Sequence, residues 1–178
     1  MTVEDLRRRR PAILGHLLET YGRELQAVAY LILRDRADAE DIVVETLLTA
    51  FEKGGSIRDE QALRGWLIRV ATNHALGARR RSGRIVRLEV VPDRAAVGDL
   101  GADSSQRVAL LDGIADLPLQ MRAALVLRYY ASLSVDEIAQ TLGKSPNTVK
   151  AQLQSALDHL RDHLADPADR TLAEARHA

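Results

Sequence analysis

The sequence predicts an all-α fold built from two small helical domains that a flexible linker joins. Apolar residues recur at intervals of three and four along most of the 178 residues, and no stretch alternates for long enough to form a buried strand. This helical pattern fails between residues 82 and 104, where glycines, a proline and scattered charges interrupt it. The predicted boundaries are residues 1–84 for the first domain, 85–104 for the linker, 105–165 for the second domain and 166–178 for a tail.

The composition excludes several classes of protein. The chain is 46% hydrophobic and 28% charged, which is the balance of an ordinary soluble folded protein. It contains no cysteine, so a disulfide framework, a thiolate metal cluster and a cysteine nucleophile are excluded. No apolar run approaches the roughly 18 to 20 residues that span a bilayer, and no apolar signal segment follows the N-terminus. We therefore expect a cytoplasmic protein without membrane insertion.

Three helices are predicted in the first domain. They run from about Pro11 to Leu33, from about Asp38 to Lys53, and from about Gln61 to Arg81. Gly54-Gly55 ends the second helix, because glycine tolerates the left-handed backbone found at helix ends. The residues expected in the core are Ile13, Leu17, Leu25, Val28, Ala29 and Ile32 of the first helix, Ala39, Ile42, Val43, Leu47, Ala50 and Phe51 of the second, and Leu63, Leu67, Val70 and Ala71 of the third.

The second domain carries a helix-turn-helix pattern. Ser134 to Glu137 has the form of a capping box, Gly143 ends the helix that follows, and Ser145-Pro146 opens the next helix. Two short helices joined by such a turn are typical of a motif whose second helix lies in the DNA major groove. The alternative is a helical hairpin that binds protein or nothing. The side chains placed to reach bases or phosphates are Ser145, Asn147, Thr148, Lys150, Ala151, Gln152 and Gln154.

The charges are spread unevenly although the formal net charge is zero. Residues 1–94 carry a net charge of +3 and residues 95–178 a net charge of −3. Within the first half, residues 58–87 hold eight arginines against two acidic residues. Such a basic block indicates either a solvated face or a polyanionic partner.

Two faces of the first domain carry charges of opposite sign. Helical spacing places Asp38, Asp41, Glu45 and Glu52 along one stripe of the second helix, which either binds a basic partner or faces solvent. The third helix presents an indole, an amide and arginines, which suit unpaired bases and phosphates through stacking and charge-assisted hydrogen bonds. Its indole is equally compatible with a core position. This second face consists of Trp66, Arg69, Asn73, Leu76 and Arg80, extended by Arg79, Arg81, Arg84 and Arg87.

The order of these features resembles the extracytoplasmic-function (ECF) sigma factors. The resemblance spans about residues 11–164 and implies two helical domains, regions 2 and 4, that bind bacterial core RNA polymerase. It rests on DAEDIVVETLLTAF at 38–51, LRGWLIRVATN at 63–73 and the arginine run after it, Leu117-Pro118, LVLRYY at 125–130, and the segment from Leu133 to Lys150.

The resemblance also implies a role for each surface. Asp38, Asp41 and Glu45 are implied to dock on the β′ clamp of the polymerase, the β flap being a further contact of the factor. The helix that begins at Ser145 is implied to read the promoter −35 element. One copy per polymerase and an anti-sigma partner are implied as well. The residues implied to capture and melt the −10 element are Lys53, Trp66, Arg69, Asn73, Arg79, Arg80 and Arg81.

Two departures from the family pattern bear on function. Val44 stands where members commonly carry glutamine, and Gln152, Ser155 and Leu157 stand where typical members carry arginine. Residues 134–164 carry a net charge of −1, so we expect weak −35 binding with a shallow salt dependence. Region 4 then either depends on its tether to polymerase or binds protein, helped by an exposed Leu157. A dimeric regulator that never contacts polymerase is a third alternative.

Signals for catalysis and metal binding are weak in the sequence. His159 and His163 stand four residues apart, which is metal-ligand spacing, but no further ligands lie nearby in a recognisable motif. A solvated helix end is the better interpretation of this pair. Neither a phosphate-cradling glycine loop nor a serine-nucleophile elbow is present. We expect no enzyme activity, no metal and no cofactor.

Overall fold

The computed structural model describes residues 3–57, 59–82 and 104–165, and the regular structure within these ranges is entirely helical. The predicted all-α fold is confirmed, whereas nearly all of the predicted linker and the tail lie outside the described residues. None of the described helices combines the length and the hydropathy needed to cross a membrane. The elements are α1 (Val3–Arg7), α2 (Ala12–Leu33), α3 (Arg36–Lys53), a 3-10 turn (Gly54–Ser56), α4 (Glu60–Ser82), α5 (Ser104–Asp116), α6 (Leu119–Tyr129), α7 (Val135–Leu142) and α8 (Pro146–Leu164).

Local backbone chemistry sets the boundary between α2 and α3. Arg34 adopts the left-handed conformation with a φ of 61°, and its backbone N–H donates to the carbonyl of Tyr30 as α2 ends. Asp35 then caps α3, because its side chain accepts a hydrogen bond from the backbone N–H of Asp38 at 2.9 Å. The break between these helices is therefore shorter than the sequence predicts.

Helix α1 has no counterpart among the predicted helices. Its Leu6 is 1% exposed and packs against Gly54, where an added Cβ would lie 3.4 Å from the leucine methyl carbons. Arg9, which follows α1, donates from Nη2 to the backbone carbonyl of Glu52 at 3.1 Å. One member of the arginine run at residues 7–10 thus anchors the N-terminal segment to the end of α3.

Helices α2, α3 and α4 pack around a shared apolar core. The predicted core residues are buried with two exceptions, Phe51 and Val70, which are half-buried. Ile68 and Leu76 are buried in addition, at 0% and 3% exposure. The assignment of Leu76 to the nucleic-acid face is therefore wrong, because the buried stripe of α4 extends to this position.

Helices α7 and α8 form the predicted helix-turn-helix. Ser134 Oγ accepts from the backbone N–H of Glu137 at 3.2 Å, and Glu137 Oε2 accepts from the backbone N–H of Ser134 at 2.8 Å. Gly143 ends α7 with a φ of 63°, which glycine adopts without a steric penalty. Ser145 caps α8 by accepting from the backbone N–H of Thr148 at 3.1 Å. Serine caps and one glycine therefore define where the two helices begin and where the first one ends.

Two apolar clusters hold α5 to α8 together. Ile138 and Val149 are completely buried where α7 and α8 pack together. Leu157 is half-buried against a second cluster, so the expectation that it is exposed is wrong, because α5 and α6 pack on that side of α8. The buried members of the second cluster are Leu117, Leu125, Ala156 and Leu160.

The two halves of the chain also pack against each other, α6 on α2 and α7 on α4. Arg122 of α6 is 8% exposed and donates to the carbonyl oxygen of Ile32 in α2 at 2.8 Å. Its guanidinium also donates to the carbonyl oxygens of Ala115 at 2.7 Å and Leu117 at 3.0 Å. Burial, with a smaller contribution from Arg34, lowers the pKa of Arg122 to about 10, so the side chain remains charged at neutral pH.

Arg64 of α4 makes a second polar contact between the halves. Its Nε donates to Glu24 Oε2 at 3.0 Å, and its Nη2 donates to the carbonyl oxygen of Ala131 at 3.1 Å. Most of the buried apolar side chains of both halves form one continuous cluster. The predicted domains are thus in direct contact in this structure.

Candidate nucleic-acid interface

Some carboxylates of the acidic stripe of α3 are exposed to solvent, whereas others contact the rest of the protein. Asp41 and Glu52 are exposed, whereas Asp38 is half-buried at the start of the helix. Glu45 Oε2 lies 3.0 Å from Nδ1 of His74 in α4. Glu45 therefore helps to pack α3 against α4, and Asp41 and Glu52 remain available to a partner.

Exposed apolar side chains border Asp41 and form a surface beyond those predicted from the sequence. Val44 is 57% exposed and Leu48, one turn further along α3, is 51% exposed. Leu18 of α2 and Val44 line a shallow hollow of about 410 Å³ between α2 and α3. The signal was present in the sequence, because Val44 and Leu48 fall on the acidic side of the helix. Large exposed apolar side chains beside a carboxylate are typical of protein docking surfaces.

The basic face of α4 is only partly open. Trp66 is half-buried and packs against the core while it also lines a cleft, so both interpretations of this indole apply. Arg69 is half-buried in the same cleft. Arg84 and Arg87 lie outside the described residues. Of the other predicted −10 residues, Lys53, Asn73, Arg80 and Arg81 are exposed and Arg79 is half-buried.

The cleft beside Trp66 measures about 290 Å³ and lies between α4 and α7. Trp66 and Arg69 form one side, and Glu137 and Gln140 of α7 form the other. Hydrogen bonds from Ser134 hold the pKa of the Glu137 carboxyl below its usual range, so this group is ionised at neutral pH. An anionic strand entering the cleft would meet a carboxylate. The helix-turn-helix thus covers part of the basic face of α4.

The predicted contact residues of α8 fall into two groups. Asn147 and Lys150 are exposed near the start of the helix. Gln152 is half-buried, and its Oε1 atom is shielded from solvent with no hydrogen-bond partner among the described residues. Gln154 Nε2 donates to Asp158 Oδ1 at 3.1 Å. The first turn of α8, with Ser145 and Thr148 engaged in its cap, is therefore the part most open to a groove.

Comparison with known proteins identifies the class to which these two halves belong. The family descriptions "Sigma-70 region 2" and "Sigma-70, region 4" match residues 17–85 and 107–160. The ECF RNA polymerase sigma factor SigL of Mycobacterium tuberculosis is 31% identical over 157 residues, which cover 84% of this chain and 88% of SigL. The ECF RNA polymerase sigma factor SigE of Mycolicibacterium smegmatis is 33% identical over 169 residues, which cover 89% of this chain and 64% of SigE.

A solved structure shares the fold. The sigma factor RpoE of Bartonella quintana, crystallised with the anti-sigma factor NepR, superposes with a TM-score of 0.69 at 22% identity. The match covers 87% of this chain and 98% of RpoE. This chain belongs to the ECF group of the sigma-70 family. It spans less than two thirds of the length of SigE.

Proposed function

We propose that this chain is a transcription initiation factor that binds bacterial core RNA polymerase, directs it to specific promoters and helps to melt the −10 element. The observation that carries the proposal is that one chain of this family bears an acidic and apolar face on α3, a basic indole face on α4 and a helix-turn-helix. A stand-alone regulator has no need of the first two faces. The proposed role is non-catalytic, cytoplasmic and independent of a cofactor.

Polymerase binding is assigned in this proposal to the exposed part of α3. Asp41 supplies a negative charge that can pair with a basic helix of the polymerase. Val44 and Leu48 supply exposed apolar area, whose removal from water on docking favours binding. Val44 then contributes through burial instead of through the polar contact of the usual glutamine. Leu18 enlarges the same surface, for which an anti-sigma partner would compete.

Promoter melting is assigned to α4 and the residues around it. Holding a base out of the stack costs a few kcal/mol, which stacking on an aromatic ring and contacts to the phosphates offset. Trp66 and Arg69 provide these groups, with Asn73, Arg80 and Arg81 further along the helix. Because Glu137 faces the Trp66 cleft, single-stranded DNA is proposed to bind there after α7 has moved away from α4.

Recognition of the −35 element is assigned to the first turns of α8. Lys150 is the cation placed there, and Asn147 offers an amide that can read a base edge. With so few cations, the contact is proposed to depend on the effective concentration that polymerase tethering supplies.

The decisive experiment is co-elution of the purified chain with bacterial core RNA polymerase, followed by transcription from a promoter-containing template. Asp41→Arg reverses a charge on the proposed docking surface and is expected to weaken core binding at least tenfold, equivalent to about 1.4 kcal/mol. Glu19→Arg makes the same charge change at an exposed position of α2 and is expected to bind as the wild type does.

Each of the other outcomes of this experiment would support a different interpretation of the chain. Core binding without initiation indicates a sigma-like regulator whose region 4 has lost or exchanged its DNA target. Failure to bind core, together with a stable dimer in light scattering, indicates a stand-alone regulator. Equal binding by the Asp41→Arg and wild-type chains would place the docking surface elsewhere.

A further inference from the structure

The contact between α5 and α8 gives the histidine pair a third potential ligand. His159, His163 and Asp116 each offer one ligand atom, and these atoms lie within 4.8 Å of one another. Nδ1 of His163 is 3.8 Å from Oδ2 of Asp116. The two imidazole rings are 6.3 Å apart, with their planes 24° from parallel. The sequence shows only the pair, because Asp116 reaches it through the packing of two helices.

Gly113 makes this arrangement sterically feasible. A Cβ atom at this position would lie 2.9 Å from Cδ2 and 3.1 Å from Cγ of His163. The imidazole therefore packs directly on the α5 backbone, one turn before Asp116. Glycine in a helix interior costs about 1 kcal/mol relative to alanine, so its presence here needs a reason. Room for the His163 ring supplies one.

We propose that Asp116, His159 and His163 bind a divalent transition metal ion, Zn²⁺ above all, with a fourth position open to water. Two imidazoles and a carboxylate match the ligand preference of zinc, whereas magnesium and calcium prefer oxygen ligands alone. Donors at tetrahedral positions about 2.1 Å from zinc lie roughly 3.4 Å apart, so the three ligand atoms must approach one another slightly. The exposed side chains of Asp116 and His159 can rotate to do so.

The bound ion would join the end of α5 to the last turns of α8. The helix-turn-helix residues occupy the start of α8, so the ion would fix the far end of the same helix. A ligand that binds only the folded state stabilises it by mass action. Zinc binding would be separate from the proposed transcription role, so it can be tested without polymerase.

The test is calorimetric titration of ZnCl2 into the 178-residue chain without an affinity tag. The wild type is expected to bind one ion with micromolar affinity, and its melting temperature should rise by about a few degrees when zinc is in excess. His159→Gln and Asp116→Asn, each at an exposed side chain, should weaken binding at least tenfold and abolish the rise. His16→Gln, in α2 of the other half, is the matched control and should behave as the wild type.

Two results would overturn the proposal. One is the absence of a binding heat with zinc at about 100 μM, well above the expected dissociation constant. The other is equal zinc binding by the wild type and the two site variants, which would place the ion elsewhere on the chain. Circular dichroism of each variant verifies that it is folded. Asp116→Glu, which keeps the carboxylate, should retain binding within tenfold if the oxygen is a ligand.

Discussion

Ser134 and Glu137 exchange hydrogen bonds at the start of α7, and this exchange depends on the charge of the carboxylate. The pKa of Glu137 lies below its ordinary value because Ser134 donates to its charged form. Its contribution to stability is complete above the unfolded pKa, near 4.3, and is lost as the pH falls through the lower folded pKa. We expect Ser134→Ala to lower the free energy of unfolding by about 1 kcal/mol at neutral pH, and less in acid.

Urea unfolding at neutral pH and again well below pH 4.3 measures both effects. Ser155→Ala is the control, because Ser155 is exposed within α8 and caps no helix. Its unfolding free energy should stay within about 0.5 kcal/mol of the wild type at either pH. An equal loss from Ser134→Ala in acid and at neutral pH would show that the charge of Glu137 is unimportant.

Helix α8 has few cations with which to hold DNA. Lys150 is exposed in its second turn, and we expect it to contact one phosphate. Lys150→Ala should therefore weaken binding to a −35 duplex and reduce the slope of log K against log salt by about 0.9. Fluorescence anisotropy of the full chain over a series of KCl concentrations gives the slope.

Arg161→Ala removes the same charge from the far end of α8, where Arg161 Nη1 pairs with Asp158 at 2.6 Å. This control should leave the slope unchanged. Sub-micromolar affinity at physiological salt with a steep slope would contradict the expectation of weak intrinsic −35 binding.

The helices that the sequence predicts well begin or end at residues whose chemistry is local. Ser134, Ser145 and Gly143 act within one turn of their own position, so a short window of sequence contains the whole signal. The sequence does not predict helix α1, because Leu6 packs against Gly54, a residue far away along the chain. Its five residues are too few to form a stable helix alone.

Arg122 is the polar centre of the contact between the two halves of the chain. Its truncation leaves the carbonyl oxygens of Ile32, Ala115 and Leu117 without these donors. We expect Arg122→Ala to lower the free energy of unfolding by about 3 kcal/mol, which urea unfolding measures. Arg23→Ala, at an exposed position of α2, should change it by less than about 0.5 kcal/mol. Equal values for the two variants would mean that the buried guanidinium contributes no net stability.

Contacts of this kind set the limit of prediction from sequence. Periodicity indicates which face of a helix is buried, but not which distant helix covers it. Arg122 and Ile32, Glu45 and His74, and Asp116 and His163 each meet across different helices. The sequence therefore predicts the residue types on each candidate surface. Tertiary packing decides that Glu45 contacts His74, that α7 partly covers Trp66, and that Asp116 lies beside the two histidines.

The position of Trp66 has an optical consequence. The chain contains one tryptophan, and its half-buried indole lies in the cleft between α4 and α7. Indole emission moves to longer wavelength when the ring passes from apolar contact into water. Separation of the two halves would therefore shift the intrinsic fluorescence emission of Trp66 to longer wavelength. Trp66 is therefore an intrinsic fluorophore at the boundary that is proposed to open, and no chemical labelling is needed to observe that opening.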